Sequence, residues 1–463
     1  MQYERYHIPT MPAPPRHNVI GKFTVIRDKD LCRSCGRCIK ACVYSVHERE
    51  THDDRAMAEP VNYLCRNCFR CMQTCPTHAL TMTMNPEYSA LGNDYWEPHR
   101  FYAISYEAEN GRIPVYGAGY RGPFGGKWFD GMWTDMSEIV RPTRDGIHGR
   151  ECISTSVDIG RRPPLLEFDG SGHIITAPTK ILELQLPIVF DMPPDHQMTS
   201  HTISIISKSA ALLGTLCVVP IKDSLDIPAA EKPHVVPLIR GHIDEVGVGA
   251  LSSANMIEIV MDDRFDDLLK QTREINPGAL IAARLPLRQG TLEDIVSLCK
   301  SKVDAAHICA DDKGMTQGDS DKRHLRYALK EVHCGLVDRS MRDEISLIVS
   351  GGIAAAEHVP KAILLGADVV AISKAAMIAL ECRLCEPCTS PKKCPVELQK
   401  ADHGWAVQRI VNVVGAWRDQ LLEVMGAMGI REVRRLRGEL GRAMFMEDLE
   451  KEIFVPLFEE GPE

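Results

Sequence analysis

Between residues 181 and 380 the hydrophobic positions come in short runs separated by amphipathic stretches. The runs are Leu186–Met192, Thr215–Val219, His234–Leu238, Met256–Met261, Ala279–Leu285, Asp304–Cys309, Ile345–Ser350 and Asp368–Ser373. Their length and apolar content predict strands. Segments such as Arg264–Ile275, Thr291–Ser301 and Ala355–Leu365 show helical periodicity between them. Eight strands alternating with helices over about 200 residues predict an α/β fold, a (β/α)8 TIM-type barrel. A doubly wound sheet has the same periodicity and remains the alternative.

The pattern changes outside this region, and cysteine explains why. Cys32, Cys35, Cys38 and Cys42 form a C-x2-C-x2-C-x3-C run, and Cys65, Cys68, Cys71 and Cys75 repeat it, with Pro76 following. Three thiolates two residues apart in a tight loop reach three corners of one Fe4S4 cube. In such double runs the fourth cysteine ligates the other cube. The assignment is Cys32, Cys35, Cys38 and Cys75 to one [4Fe–4S] cluster, and Cys65, Cys68, Cys71 and Cys42 to the second. Val43 stands where Pro is usual and leaves ligation intact. Zinc also binds paired cysteines, but a repeated four-cysteine run fits iron–sulfur better. The expectation is an N-terminal α+β ferredoxin-like module over 1–85. Arg33, Arg37, Lys40, Arg66 and Arg70 surround the cysteines, either as a solvated surface or as a docking face for an acidic partner.

A third group, Cys382, Cys385, Cys388 and Cys394, spans 13 residues. A [4Fe–4S] cluster is the first reading, [3Fe–4S] the second and zinc the third. The remaining organisation is a linker or pre-barrel segment over 86–180, the barrel over 181–380, and the third cluster loop with a C-terminal helical tail over 381–463. Within the linker, Tyr116–Trp133 reads as an ordered segment packed between module and barrel, since Phe124, Trp128, Phe129 and Trp133 argue for burial, with a flexible tether as the rival reading.

Composition narrows the class. The chain has 463 residues, 44% hydrophobic and 25% charged, with net charge −9. That balance is globular, and without a basic stripe no nucleic-acid partner is expected. No apolar stretch reaches the roughly 18 residues of a membrane span, and the polar start has no signal-peptide core. A cytoplasmic location is expected. Twelve of the 17 cysteines stand at ligand spacing rather than in a disulfide pattern. Cys152, Cys217, Cys299, Cys309 and Cys334 are isolated and read as small buried apolar residues. His196 and His307 read as surface or packed histidines.

The barrel's last two strands carry a more specific signal. Ser350, Gly351 and Gly352 close strand seven, and Ser373 and Lys374 follow strand eight. Barrels commonly hold a phosphate on these loops, where glycine lets backbone N–H groups approach the anion. These five residues are candidates for a flavin or sugar phosphate, with a plain tight turn as the alternative.

The order of Gly111–Gly122, Arg150–Arg162, Leu186–Met192, Lys208–Gly214, Ser350–Ile353 and Gly366–Ile378, followed by the cluster at Cys382–Pro395, resembles the FMN domain of glutamate synthase. The added N-terminal double cysteine run resembles the archaeal-type members. Ile430–Leu436 looks like that family's closing helices. The resemblance implies an FMN barrel exchanging electrons with iron–sulfur clusters, and reduction of 2-iminoglutarate made from 2-oxoglutarate and ammonia.

Departures fall on the barrel's C-terminal loops, where barrel catalysis resides. The family's Gly-Glu-Gly-Gly loop after strand two is Pro220-Ile221-Lys222-Asp223 here. The Lys-Pro-Gly loop after strand four is Asp262-Asp263-Arg264-Phe265. The strand-five lysine beside the flavin is Arg284, the candidate catalytic residue; its planar fork is not equivalent to an ammonium. The Asp-Gly-Gly-Thr-Gly loop after strand six is Asp311-Asp312-Lys313-Gly314-Met315. No glutaminase domain is expected, so ammonia would come from elsewhere, and no dinucleotide-binding glycine motif occurs.

Three readings follow. One is an iron–sulfur, FMN-containing electron-transfer subunit of a larger redox complex, a hetero-oligomer with a ferredoxin or a pyridine-nucleotide–flavin oxidoreductase as partner. The second is a ferredoxin- or NAD(P)H-linked glutamate synthase with a divergent site. The third is a wiring subunit with an empty barrel.

Overall fold

The computed structural model describes residues 6–17, 20–114, 126–135, 152–162, 165–176, 179–385 and 394–453. Near the N-terminus, β1 (Phe23–Arg27) pairs antiparallel with β2 (Leu80–Met84). Between them the internal repeat forms two short helices, α1 (Arg37–Ala41) and α2 (Arg70–Thr74). Each carries the third cysteine of its run and is capped by the fourth. The module's own core is small. Val25, Val46 and Leu80 pack with buried Cys65 and Cys71 and half-buried Cys38, Cys42 and Cys75.

The eight apolar runs form a closed parallel barrel. Its strands are β6 (Ile188–Phe190), β7 (Cys217–Pro220), β8 (Val235–Ile239), β9 (Met256–Val260), β10 (Leu280–Pro286), β11 (Ala305–Cys309), β12 (Ser346–Ser350) and β13 (Val369–Ile372). β13 pairs with β6 to close the ring, which excludes the doubly wound alternative. The helices between them are α5 (Ser200–Leu213), α6 (Glu245–Ser252), α7 (Phe265–Ile275), α8 (Thr291–Lys300), α9 (Leu325–Asp338) and α10 (His358–Leu364), with α11 (Lys374–Ala379) after β13. Burial on both faces explains why the strands read as continuous apolar runs rather than alternating ones. A hairpin of β4 (Val157–Gly160) and β5 (Ile181–Leu184) lies at the N-terminal ends of the strands. There Gly160 exchanges hydrogen bonds of 3.0 and 2.9 Å with the Ser346 hydroxyl.

After α3 (Pro86–Ser89), α4 (Pro98–Asn110) lies against the long α12 (His403–Ala427). Polar side chains on α12 fix this contact. Asn412 Nδ2 donates to the carbonyls of Met11 and Ala108 at 2.7 and 2.8 Å. Buried Arg409 donates to Ala379 and Ala13 carbonyls at 2.6 and 2.7 Å. The N-terminal extension, α4 and the end of α11 are thus tied to one helix.

Two packing expectations need correction. Phe129 is buried and Trp128 half-buried, but Trp133 is 39% exposed. It lies on β3 (Met132–Thr134), which pairs only with β14 (Ala443–Phe445) ahead of α13 (Met446–Ile453). Alternation on that two-stranded ribbon turns Met132 inward and Trp133 outward. Phe124 lies outside the described residues. Among the isolated cysteines, Cys217, Cys299 and Cys309 are buried, whereas Cys152 is exposed and Cys334 half-buried. Cys334 stands on α9 between buried His333 and Gly335, turned partly off the barrel-facing stripe.

Glu107 is enclosed between α4 and α12, where its carboxylate accepts from Trp417 Nε1 at 2.8 Å. Burial pushes its pKa up to about 8 from 4.5, against the lowering by the Trp417 bond. The folded state keeps a proton that the unfolded chain has released, so stability falls as pH rises from 4.5 toward 8 and is fully present below 4.5. Glu107→Gln should flatten that slope and gain stability relative to the parent at pH 8. Urea midpoints across this range check it; equal slopes for both proteins would refute the assignment.

Candidate functional site

The C-terminal ends of the barrel strands surround a cavity of about 770 Å³. Its floor is a buried charge network. Arg284 on β10 donates to both oxygens of Asp191, at 2.8 and 2.9 Å. The same Nη1 reaches Glu258 Oε1 on β9 at 2.8 Å. His307 on β11 lies 2.9 Å through Nδ1 from that Glu258 oxygen, and Nε2 stands 4.0 Å from Asp191. Neighbouring strands place these groups together because Arg284 and His307 are paired in register. Glu258 and His307 are 1% and 0% exposed.

The electrostatics follow from this crowding. Burial alone would raise the Asp191 carboxyl, but Arg284 and His307 hold it well below the usual carboxylate range. Glu258 is likewise lowered against burial, by His307 and then Arg284. Burial alone would discharge His307; Cys309 and Glu258 outweigh it and raise the imidazole well above its ordinary value. Removing any one charge leaves others buried without compensation.

Arg284, Ser350, Gly351, Gly352, Ser373 and Lys374 all line this cavity. The glycines have φ of +92° and +69°. A Cβ on Gly351 would lie 2.6 Å from the Ala310 and Asp311 carbonyl oxygens, and one on Gly352 would lie 2.6 Å from Gly314 Cα. Their conformation and the close loop behind them therefore require glycine whether or not an anion is bound. Ser373 donates to Met192 O at 2.7 Å, and Lys374 pairs with Asp312 at 2.6 Å. Outside the barrel, Trp96 walls the cavity and donates to Asp312 O at 2.8 Å, while the Tyr95 hydroxyl donates to Gly352 O.

The two N-terminal runs share one backbone device. Ser34 and Asn67, each two residues after a first cysteine, have φ of +49° and +61°; Gly36 and Phe69 have +70° and +59°. Ser45 and His78, three residues after each fourth cysteine, have +55° and +53°. Left-handed residues curl successive N–H groups toward one concave side, a shape suited to anionic clusters. Burial raises the Cys71 thiol to about 11, with Cys65, Cys42 and Cys68 adding to the rise. Thiols from both runs therefore converge without forming a disulfide. That convergence fits the crossed [4Fe–4S] ligand set.

At the third group, Cys382 is buried, and Cys385 and Cys394 are half-buried. Cys388 lies outside the described residues. Leu384, two residues after Cys382, has φ +49°, as Ser34 and Asn67 do. The Cys382 sulfur accepts from Gln197 Nε2 at 3.1 Å and Leu384 N at 3.5 Å. Gln197 follows Asp195 of the cavity wall, so this loop adjoins the barrel mouth. Cys382 and Tyr102 of α4 line the same small cleft, and the Arg66 guanidinium stands 4.7 Å over the Tyr102 ring. The modules therefore meet through α4.

Sequence reasoning passed over Asp191, Glu258, His307 and Cys309 as site residues. The available signal was a charged or polar residue interrupting an apolar barrel strand, in Met256-Ile257-Glu258-Ile259-Val260 and Ala305-Ala306-His307-Ile308-Cys309.

Comparison with known proteins agrees with the two-part build. A model of the conserved region in glutamate synthase matches residues 232–431. A 4Fe-4S dicluster domain matches residues 24–83. The archaeal-type glutamate synthase (NADPH) of Dehalococcoides mccartyi is 25% identical over 90% of this chain and 94% of its own. The archaeal glutamate synthase (NADPH) of Methanocaldococcus jannaschii is 27% identical over 94% and 97%. No helix among the described residues is long and apolar enough to cross a membrane.

Arg284→Met should destabilise the fold by about 3–5 kcal/mol, the cost of leaving a buried carboxylate pair without its cation. Arg284→Lys, which keeps the charge and loses the fork, should cost less. Urea unfolding separates them; a neutral Arg284→Met would show that the network does not depend on this guanidinium.

Proposed function

We propose, starting from the chain's membership of the glutamate synthase family, that it works as an iron–sulfur and FMN-containing electron-transfer subunit of a larger redox complex. The observation that carries this reading is the state of the cavity's cations. Arg284 is committed to Asp191 and Glu258, and Lys374 to Asp312. Asp195, Asp262 and Asp312 stand on the walls. A dicarboxylate such as 2-oxoglutarate would meet these exposed acids and, among the described lining residues, one uncommitted cation, Arg240, where two carboxylates need two. The cysteine runs, in contrast, keep their ligand spacing and convergence.

FMN fits the cavity by size, since ligand sites run from about 300 to 1,000 Å³. Its phosphate would lie by Ser350, Gly351 and Gly352 and the Ser373–Lys374 backbone. Lys374 would exchange Asp312 for the phosphate; the Asp312 side chain is 68% exposed and is free to turn to water. FMN bound there supplies one- and two-electron chemistry. The chain's own residues orient it: Arg284 and His307 place positive charge on the floor, and Trp96 closes the side.

Cys382, Cys385, Cys388 and Cys394 would hold a third [4Fe–4S] cluster. The matching left-handed residue and the two N–H donors on Cys382 support that reading, because such bonds tune cluster potential. Electrons would move from the dicluster module past Arg66 and Tyr102 to this cluster, then past Gln197 to the flavin. The external partner would be a ferredoxin or a pyridine-nucleotide–flavin oxidoreductase in the cytoplasm.

Anaerobically purified protein should contain about twelve iron atoms per chain, for three four-iron clusters, and release FMN on acid treatment. About eight iron atoms would remove the third cluster. Lys374→Met should weaken FMN retention at least tenfold and Asp312→Asn should not; the reverse order would sink the phosphate placement. Glutamate formed from 2-oxoglutarate, ammonia and reduced ferredoxin at enzymatic rates would overturn the subunit reading in favour of a divergent synthase.

A further inference from the structure

We infer that Cys309 is a nucleophilic thiol, served by His307 and Glu258, that forms a reversible adduct with the carbonyl carbon of a small molecule in the barrel cavity. Cys309 ends β11 and lines the cavity. His307, two residues earlier, has its side chain on the same inner face of the strand. One ligand atom each of Asp191, His307 and Cys309 lies within 4.8 Å of the others. The thiol donates a long hydrogen bond, 3.7 Å, to the carbonyl of His307.

The ring nitrogens of His307 divide the work. Nδ1 is 2.9 Å from Glu258 Oε1, which as a carboxylate accepts the Nδ1 proton. Nε2 is fully buried and has no hydrogen-bond partner, although the ring belongs to a 0% exposed residue. An unpaired buried ring nitrogen is costly unless it has a use. Glu258 holds the Nδ1 proton, so Nε2 is the ring position that exchanges a proton with the thiol. A thiol, an imidazole and a carboxylate in this order form a nucleophile, base and orienting group. The charged groups facing the thiol are Asp191 from β6, Glu258 from β9, Arg284 from β10 and His307 from its own strand.

A divalent metal on Asp191, His307 and Cys309 is the rival occupant. It is disfavoured because the Arg284 guanidinium already bridges both Asp191 oxygens and would stand beside the ion. A carbonyl compound needs no such exchange. Cys309 and His307 share one proton: with it on His307 Nε2, the sulfur bonds to the carbonyl carbon as the C=O π pair shifts to oxygen. The imidazolium returns the proton to that oxygen. The product is a hemithioacetal or thiohemiketal, with no electron gained or lost. This assignment does not depend on FMN being present.

The test is alkylation of the anaerobic, cluster-loaded protein by iodoacetamide at pH 7, with peptide mapping. Cys309 should react at least tenfold faster than exposed Cys152, and glycolaldehyde, an uncharged carbonyl compound, should slow Cys309 alone. His307→Gln should cut the Cys309 rate at least tenfold and leave Cys152 unchanged; Glu258→Gln, close in shape, should cut it less. If Cys309 of the parent protein reacts no faster than Cys152, the nucleophile assignment falls, whatever the variants do. Indifference to glycolaldehyde would overturn the carbonyl class. Stoichiometric zinc lost in Cys309→Ser would give the three residues to a metal instead.

Discussion

Four ionisable groups share the floor of the barrel largely out of contact with solvent, and their mutual compensation constrains everything above them. Asp191, Glu258, Arg284 and His307 come from four different strands. None could be buried alone, because an isolated charge in a low-dielectric interior costs several kcal/mol even after relaxation. Together they fix the relative positions of β6, β9, β10 and β11 at the end where the cavity opens. They also bind up the central cation. A positive charge held by two carboxylates still shapes the field, but it is a poor clamp for a further carboxylate.

The second constraint is distance. The proposed electron transfer would need the redox centres close, and rigid contacts hold the parts of the chain that would carry them. Asn412 and Arg409 of α12 tie down the N-terminal extension, α4 and the end of α11. α4 in turn presents Tyr102 to Arg66 beside Cys65 and to the cleft beside Cys382. The segment between the cysteine module and the barrel is thus part of the scaffold, and its polar contacts are buried bonds with directional demands.

Legibility differed by the kind of signal. All eight barrel strands stood out because each is buried on both faces, and the structure places them within two residues of the apolar runs at either end. The cysteine runs were legible because ligand spacing is local. The charge network was not, since its members lie on different strands and each reads alone as an isolated polar residue. Trp133 was misread for a related reason. Its bulk argued for burial, but a two-stranded ribbon buries only one face, and Met132 took it. The left-handed residues at Ser34, Asn67 and Leu384 carry no common residue type, so only the backbone shows that the three cysteine groups share a turn.

That shared turn bears on how the barrel and the clusters diverged in their demands. A cluster loop needs a thiolate spacing and inward N–H groups, and the third loop keeps both features among its described residues, Cys382 accepting from Gln197 and Leu384. A substrate loop needs free cations and room. At the same barrel mouth, Lys374 is closed off by Asp312, and Gly351 and Gly352 are packed against the Ala310–Gly314 turn. The turn geometry at the cysteines persists, while Arg284 and Lys374 at the barrel mouth are paired with the chain's own acids. The inner face of β11 escapes this closure: Cys309 still lines the cavity while the buried His307 Nε2 finds no partner. Chemistry on a bound molecule therefore has its clearest opening at that strand.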